Sequence, residues 1–197
     1  MLQILKKRSI RISLIILASA IVFLIAVPIY QRATRKTLHL YENGIFESFN
    51  LTGLCKESTF IARGTVSRVE ESRLIAEVDA LTPVHLSVTK VYKGDADIQS
   101  VVFYEEYGIY NNTEYLYYPP SCTQFPIKKG DDIIVFLRTE PPLSLDAAGV
   151  CRGGVCSVRG TTVEINNCIE NIHSLPGISD DLTMPLSEFE AFIADKM

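Results

Sequence analysis

The first 36 residues contain no aspartate or glutamate, although the 197-residue chain has 23 of them, and they hold seven of its 19 lysines and arginines. Residues 37–197 keep the other 12 basic residues and all 23 acidic ones, a net charge of −11. A region so acidic repels phosphate backbones and anionic headgroups, which excludes nucleic acid as a partner and broad adhesion to a membrane surface. No Gly-x-Ser-x-Gly elbow, phosphate loop or dinucleotide fingerprint occurs, so the chemistries these motifs carry have no local signal. The three histidines, His39, His85 and His173, show no His-x-x-x-His spacing, and no Cys-x-x-Cys occurs. Neither a metal nor any other cofactor is therefore expected. A serine nucleophile needs no local motif, but its base would have to be one of these three scattered histidines. Glu105 and Glu106 are adjacent on an expected strand and so point to opposite faces, which favours a solvated strand end over a paired-carboxylate site. Internal repeats and low-complexity tracts are absent as well.

What is present begins with an uncharged run of 19 residues, Ile12 to Tyr30 (ISLIILASAIVFLIAVPIY). At about 1.5 Å per residue a helix of this length crosses the hydrocarbon core of a bilayer. Lys6, Lys7, Arg8 and Arg11 precede it and Arg32, Arg35 and Lys36 follow, a bias that places residues 1–11 in the cytoplasm. A cleaved signal peptide ending at Ala18-Ser19-Ala20 is the competing reading. It would leave the apolar IVFLIAV at a mature N-terminus, and a lipoprotein route lacks a cysteine before Cys55. All five cysteines, at 55, 122, 151, 156 and 168, follow the run, and such usage suits an oxidising, extracytoplasmic compartment.

Beyond the run, residues 31–49 read as a stalk. Asn50 to Ser58 suits a short helical turn. Short, β-branched, turn-bounded stretches then follow: Phe60 to Val69 with a bulge at Gly64, Arg73 to Asp79, Val84 to Tyr92, Ile98 to Glu105 and the strongly apolar Asp132 to Arg138. Gly149 to Cys156 reads as a hairpin over Gly153-Gly154, with Thr161 to Ile165 after it. Within residues 169–197, Leu186, Phe189, Phe192 and Ile193 form one face of a closing helix, with Pro185 near its start and Ser187 as the cap. Strands of this number and spacing predict a mainly β domain over 50–168, a small closed β-barrel with one or two peripheral helices, preceded by a single transmembrane helix over 12–30.

The order LCKESTFIARGTVSRVEE, VTKVYKGDADIQSVVFYEE, SCTQFPIKKGDDIIVFL and GVCSV resembles the oligonucleotide/oligosaccharide-binding-type barrel of netrin modules and tissue inhibitors of metalloproteinases, and more closely its bacterial membrane-anchored relatives. The resemblance covers roughly residues 50–168. It implies a bacterial host, and a bridge from Cys55, beside the first helix, to Cys168 at the end of the barrel. Cys122 and Cys156 match cysteines that in the inhibitors tie the barrel to an N-terminal Cys-x-Cys, whose amine and carbonyl chelate a protease's zinc. No such dipeptide precedes the barrel in this chain, so that mechanism is not inherited with the fold. Cys122, Cys151 and Cys156 are then three thiols for one bridge. One involving Cys122 is favoured, Cys151 with Cys156 would instead clip a hairpin, and one cysteine remains over.

Six of the nine tyrosines, Tyr104, Tyr107, Tyr110, Tyr115, Tyr117 and Tyr118, fall within 15 residues. The segment from Tyr107 to Pro120 shows no periodic apolar face and reads as a long loop. Tyrosine supplies large, stiff, amphipathic contact area, so the loop is the expected binding surface for an envelope protein or a glycan. A cover for the barrel mouth is the plainer role. The sequence thus favours a membrane-anchored extracytoplasmic binding module over an enzyme. The alternative is an envelope hydrolase, or a protease inhibitor that works without N-terminal cysteine chelation.

Overall fold

The structure is a computed structural model that describes residues 2–41, 50–75, 79–105, 107–118, 127–138, 154–165, 177–179 and 182–197. It combines three helices with a large antiparallel sheet, a mixed architecture in place of the mainly β one expected. Helix α1 (Leu2–Ala33) contains the apolar run and tolerates Pro28 within it. The described side chains of the run begin at Ile16, and they face outward: Phe23, Leu24, Ile29 and Tyr30 are each at least 62% exposed. Among the described residues no helix is long and apolar enough to cross a membrane. The expected span over 12–30 begins outside the described side chains.

The next helix, α2 (Leu51–Glu57), begins where Asn50 accepts a 2.8 Å hydrogen bond from the Gly53 amide, satisfying a donor that would otherwise be orphaned at the helix start. Its other end is held by Lys93, whose Nζ donates to the carbonyls of Cys55 and Lys56 at 2.9 Å each. Four strands then build the centre of the sheet: β2 (Phe60–Val69), β4 (Asp79–Lys93), β5 (Ser100–Glu105) and β8 (Asp132–Leu137). The pairings β2·β4, β4·β5 and β2·β8 are all antiparallel. The order β8-β2-β4-β5 is a Greek key, in which the fourth strand returns to lie beside the first. The short β3 (Arg73–Ile75) pairs with the start of β4. Strands β9 (Val155–Arg159), β10 (Thr162–Glu164) and β11 (Thr183–Pro185) extend the sheet beyond β8.

Alternation along β2 and β8 explains why this sheet is buried on both faces. Ile61, Ile134 and Phe136 join Cys156, Val158 and Val163 under α2 and α3 (Leu186–Lys196), whose Leu51, Leu54, Phe189 and Ile193 close that cluster. Phe136 and Phe189 meet edge to face, with ring centroids 6.4 Å apart. The intervening residues Phe60, Ala62, Ile133, Val135 and Leu137 join Val84, Leu86 and Phe103 on the other face. The reading of Asp132 to Arg138 as the most buried strand holds, and so does the irregularity at Gly64, where the β2·β4 register shifts.

Two expectations give way. The sheet does not close into a barrel: among the described residues its path ends at β3 and β11. Three register shifts bend the β2·β4 pair, and the chain after β5 leaves for a second sheet instead of returning to the free edge. The expected hairpin over Gly153-Gly154 lies mostly outside the described residues, which resume at Gly154; a further hairpin turns at Gly160, in a left-handed conformation (φ +63°), between β9 and β10. Ser187 does not cap α3, whose N-cap is Pro185 without a side-chain bond.

The second sheet has the order β1-β7-β6, from β1 (Lys36–Tyr41), β6 (Tyr107–Tyr110) and β7 (Thr113–Tyr118). It overturns one further reading and adds a strand to a segment for which the sequence set no fold. The segment expected as a long loop is a hairpin, and the segment expected as a stalk contributes a strand that runs parallel to β7, from Lys36 opposite Thr113 to Tyr41 opposite Tyr118. Asn111 and Asn112, at φ +46° and +59°, form a two-residue turn whose twist matches paired strands, and asparagine accepts such angles more readily than most residues.

Candidate functional site

Where the β6–β7 hairpin rests against the main sheet, a cleft of about 460 Å³ opens. Val69, Glu70, Glu71 and Ser72 at the end of β2, Thr82 of β4 and Glu105 of β5 form one wall. Ile109, Tyr110 and Asn111 of the hairpin form the other, with Ile127 alongside. The hairpin is fixed there by backbone proximity. The Ile109 amide donates to Ser72 Oγ at 2.9 Å, and Ser72 Oγ lies 2.9 Å from Thr82 Oγ1. Gly108 permits the approach, since a Cβ at this position would collide with Ser72 Oγ.

Two of the three carboxylates on the main-sheet wall, Glu105 and Glu70, sit in opposite environments. Burial pushes the Glu105 carboxyl up to about 8, so at neutral pH it is largely protonated and can donate a hydrogen bond. Glu70 is held below the usual carboxylate range, first by its 2.7 Å bond to His85 Nε2 and then by Arg73 at 2.6 Å. One cleft therefore offers a neutral acid and an ionised base. This is the pattern by which a site assigns acid and base roles to chemically identical groups. Glu105, expected at a solvated strand end, is half-buried opposite Thr82 and lines the cleft; Glu106 lies outside the described residues.

Of the tyrosines expected to form the binding surface, Tyr110 lines the cleft. Tyr104 is only 6% exposed and belongs to the interior. Tyr107, Tyr115, Tyr117 and Tyr118 lie on the backbones of β6 and β7, and their side chains are outside the described set. Glu70, Ser72 and Thr82 were not candidates from the sequence, for no local pattern tells that the β2–β3 connection faces the hairpin. Cys55 is a fully buried thiol that burial pushes up to about 11. Cys156 is buried in the same cluster, and no disulfide joins these two. Cys122, Cys151 and Cys168, and every pairing expected of them, lie outside the described residues. Neither a protein-family model nor a curated protein sequence matches the chain.

Proposed function

We propose that this chain is a membrane-anchored, extracytoplasmic binding module that engages an envelope protein or a glycan through the cleft between the main sheet and the tyrosine-bearing hairpin. The observation that carries the reading is the cleft itself: concave, walled by both sheets, and lined by polar groups together with the apolar Val69, Ile109 and Ile127. Anchoring through residues 12–30, with residues 1–11 cytoplasmic, is part of the same proposal. Its support is a long helix whose described apolar side chains have no protein cover. Kinship with the netrin-type barrel is also part of it, supported by the Greek-key order β8-β2-β4-β5 with α2 packed beside β2. An acidic domain leaves nucleic acid out of the partners.

A photo-crosslinking residue at Asn111, in the chain expressed in membranes, tests the reading. The expected result is a discrete adduct from position 111 and none from Lys196 of α3, which packs on the other face of the large sheet. Absence of an adduct from position 111 and from the neighbouring Tyr110 would overturn it.

The second reading, an envelope hydrolase, draws on the separated carboxyls: Glu105 would donate a proton to a leaving group while ionised Glu70 activates water or steadies positive charge. Glu105→Gln separates the two readings. It abolishes turnover by a hydrolase but preserves the shape that a binding module requires.

A further inference from the structure

The tip of the β6–β7 hairpin is tied to the end of α1. Thr34 follows the last residue of the helix, and Asn112 Nδ2 donates to its Oγ1 at 3.4 Å. The Lys36 amide donates to the Asn112 carbonyl at 3.2 Å, which starts the β1·β7 ladder. If Tyr30 marks the edge of the apolar run, Thr34 lies about 6 Å farther along the axis, at 1.5 Å per residue. The polar layer on each side of a hydrocarbon core is roughly 5–8 Å deep. The hairpin tip is therefore held at the depth of the headgroups, with Tyr110, whose amphipathic ring suits that layer, at the end of β6.

Charge at this junction runs against the rest of the domain. Arg32, Arg35 and Lys36 cluster at the end of α1, ahead of a region with net charge −11. Among the described residues none of the three has an acidic partner, and the buried Nε of Arg35 has no hydrogen-bond acceptor. Cations at headgroup depth suit a lipid phosphate. We propose that the hairpin tip and the Arg32, Arg35 and Lys36 collar form one membrane-contact surface that takes the phosphate groups of anionic lipids, so that the cleft opens at the bilayer surface. This rests on the anchor reading above. The repulsion expected of the acidic region is avoided because the contact is confined to residues 32–36 and the uncharged turn.

The chain has no tryptophan, so Tyr110→Trp and Phe23→Trp each give a single indole reporter in the full-length protein reconstituted in vesicles. In vesicles containing phosphatidylglycerol, the reporter at position 110 loses most of its emission to lipids brominated near the glycerol, and the reporter at position 23 to lipids brominated deep in the acyl chains. Quenching at position 23 alone overturns the contact surface and leaves the anchor standing; quenching at neither position overturns both. Arg35→Gln combined with Tyr110→Trp lowers the quenching to the level seen in purely zwitterionic vesicles, and an unchanged level would remove phosphate recognition. Inorganic phosphate added to zwitterionic vesicles leaves the emission from position 110 as it was, whereas restoration of the anionic-lipid signal would make free phosphate the ligand and overturn the lipid assignment. In the unsubstituted chain, amides of 109–113 exchange more slowly in anionic than in zwitterionic nanodiscs. Equal rates would refute the proposal without recourse to any variant.

Discussion

The two sheets of this protein are held by different forces. The large sheet has an apolar cluster on each face, and its central strand β8 is buried on both sides, from Ile133 to Leu137. The small sheet contributes none of its described side chains to either cluster. It is held by ladder hydrogen bonds, by the Ile109 amide on Ser72, and by the close approach that Gly108 allows. Apolar burial is non-directional and scales with area, so it confers global stability, whereas a few directional bonds fix a position at low free energy. The large sheet is thus the scaffold, and the small one is the part more readily displaced.

The sharpest way to break this contrast is at Phe103, among the largest fully buried side chains and a member of the cluster on the face away from α2 and α3. Phe103→Ala removes its transfer free energy and leaves a cavity, a loss of about 3–5 kcal/mol, measurable as a lowered denaturant midpoint of the whole domain. A comparable loss from a substitution confined to the β6–β7 hairpin would show that the two regions are not energetically distinct.

What could be read from the sequence follows the same division. Strands β2, β5 and β8 and helices α2 and α3 announce themselves through local patterns that burial imposes: alternation at Phe60 to Val66, an unbroken apolar run at 133–137, and a helical face at Phe189 and Ile193. In the small sheet nothing imposes such a pattern. Tyr107 to Tyr118 mixes aromatic, polar and glycine residues on both strands, and the one usable signal was Asn111-Asn112, a dipeptide suited to a two-residue turn. Strand β1 finds its partner in β7 over seventy residues away, a pairing with no local trace. Glu105 stood out in the sequence only as one of two adjacent acids. Its altered ionisation comes from burial in the folded chain, which no local spacing encodes.

A smaller effect arises where the two regions meet, at Glu105. Its carboxyl is neutral in the folded state up to a pH of about 8, but in an unfolded chain it ionises near its ordinary value of 4.5. Between these values the folded protein binds the extra proton. Stability from this group is therefore fully present below pH 4.5 and is lost as the pH rises through about 8. The loss is on the order of a few kcal/mol. Glu105→Gln, which cannot ionise, flattens the decline, and urea titrations at pH 5, 7 and 9 on both proteins measure it. A decline of equal slope in the variant would assign the pH dependence to other groups.

The smallest effect is expected at Gly108, and it isolates the seam between the sheets. An added methyl group would collide with Ser72 Oγ and stand 2.6 Å from Ser72 Cβ, too close for either to remain, so Gly108→Ala must lift the hairpin from the β2–β3 connection. Overpacking of this kind costs about 1–3 kcal/mol, and in a region without apolar anchoring the strain is relieved locally rather than by global unfolding. The Ile109 amide, which loses its acceptor, should exchange faster, while amides around Phe103 keep their protection. Because the clash involves one side chain, Ser72→Gly should restore slow exchange at Ile109 in the double variant only in part: it removes the obstruction and the acceptor together. The coupling between the two substitutions then separates steric fit from the hydrogen bond. If the two effects simply add, Gly108 and Ser72 do not meet, and the hairpin is held against the main sheet by something other than this contact.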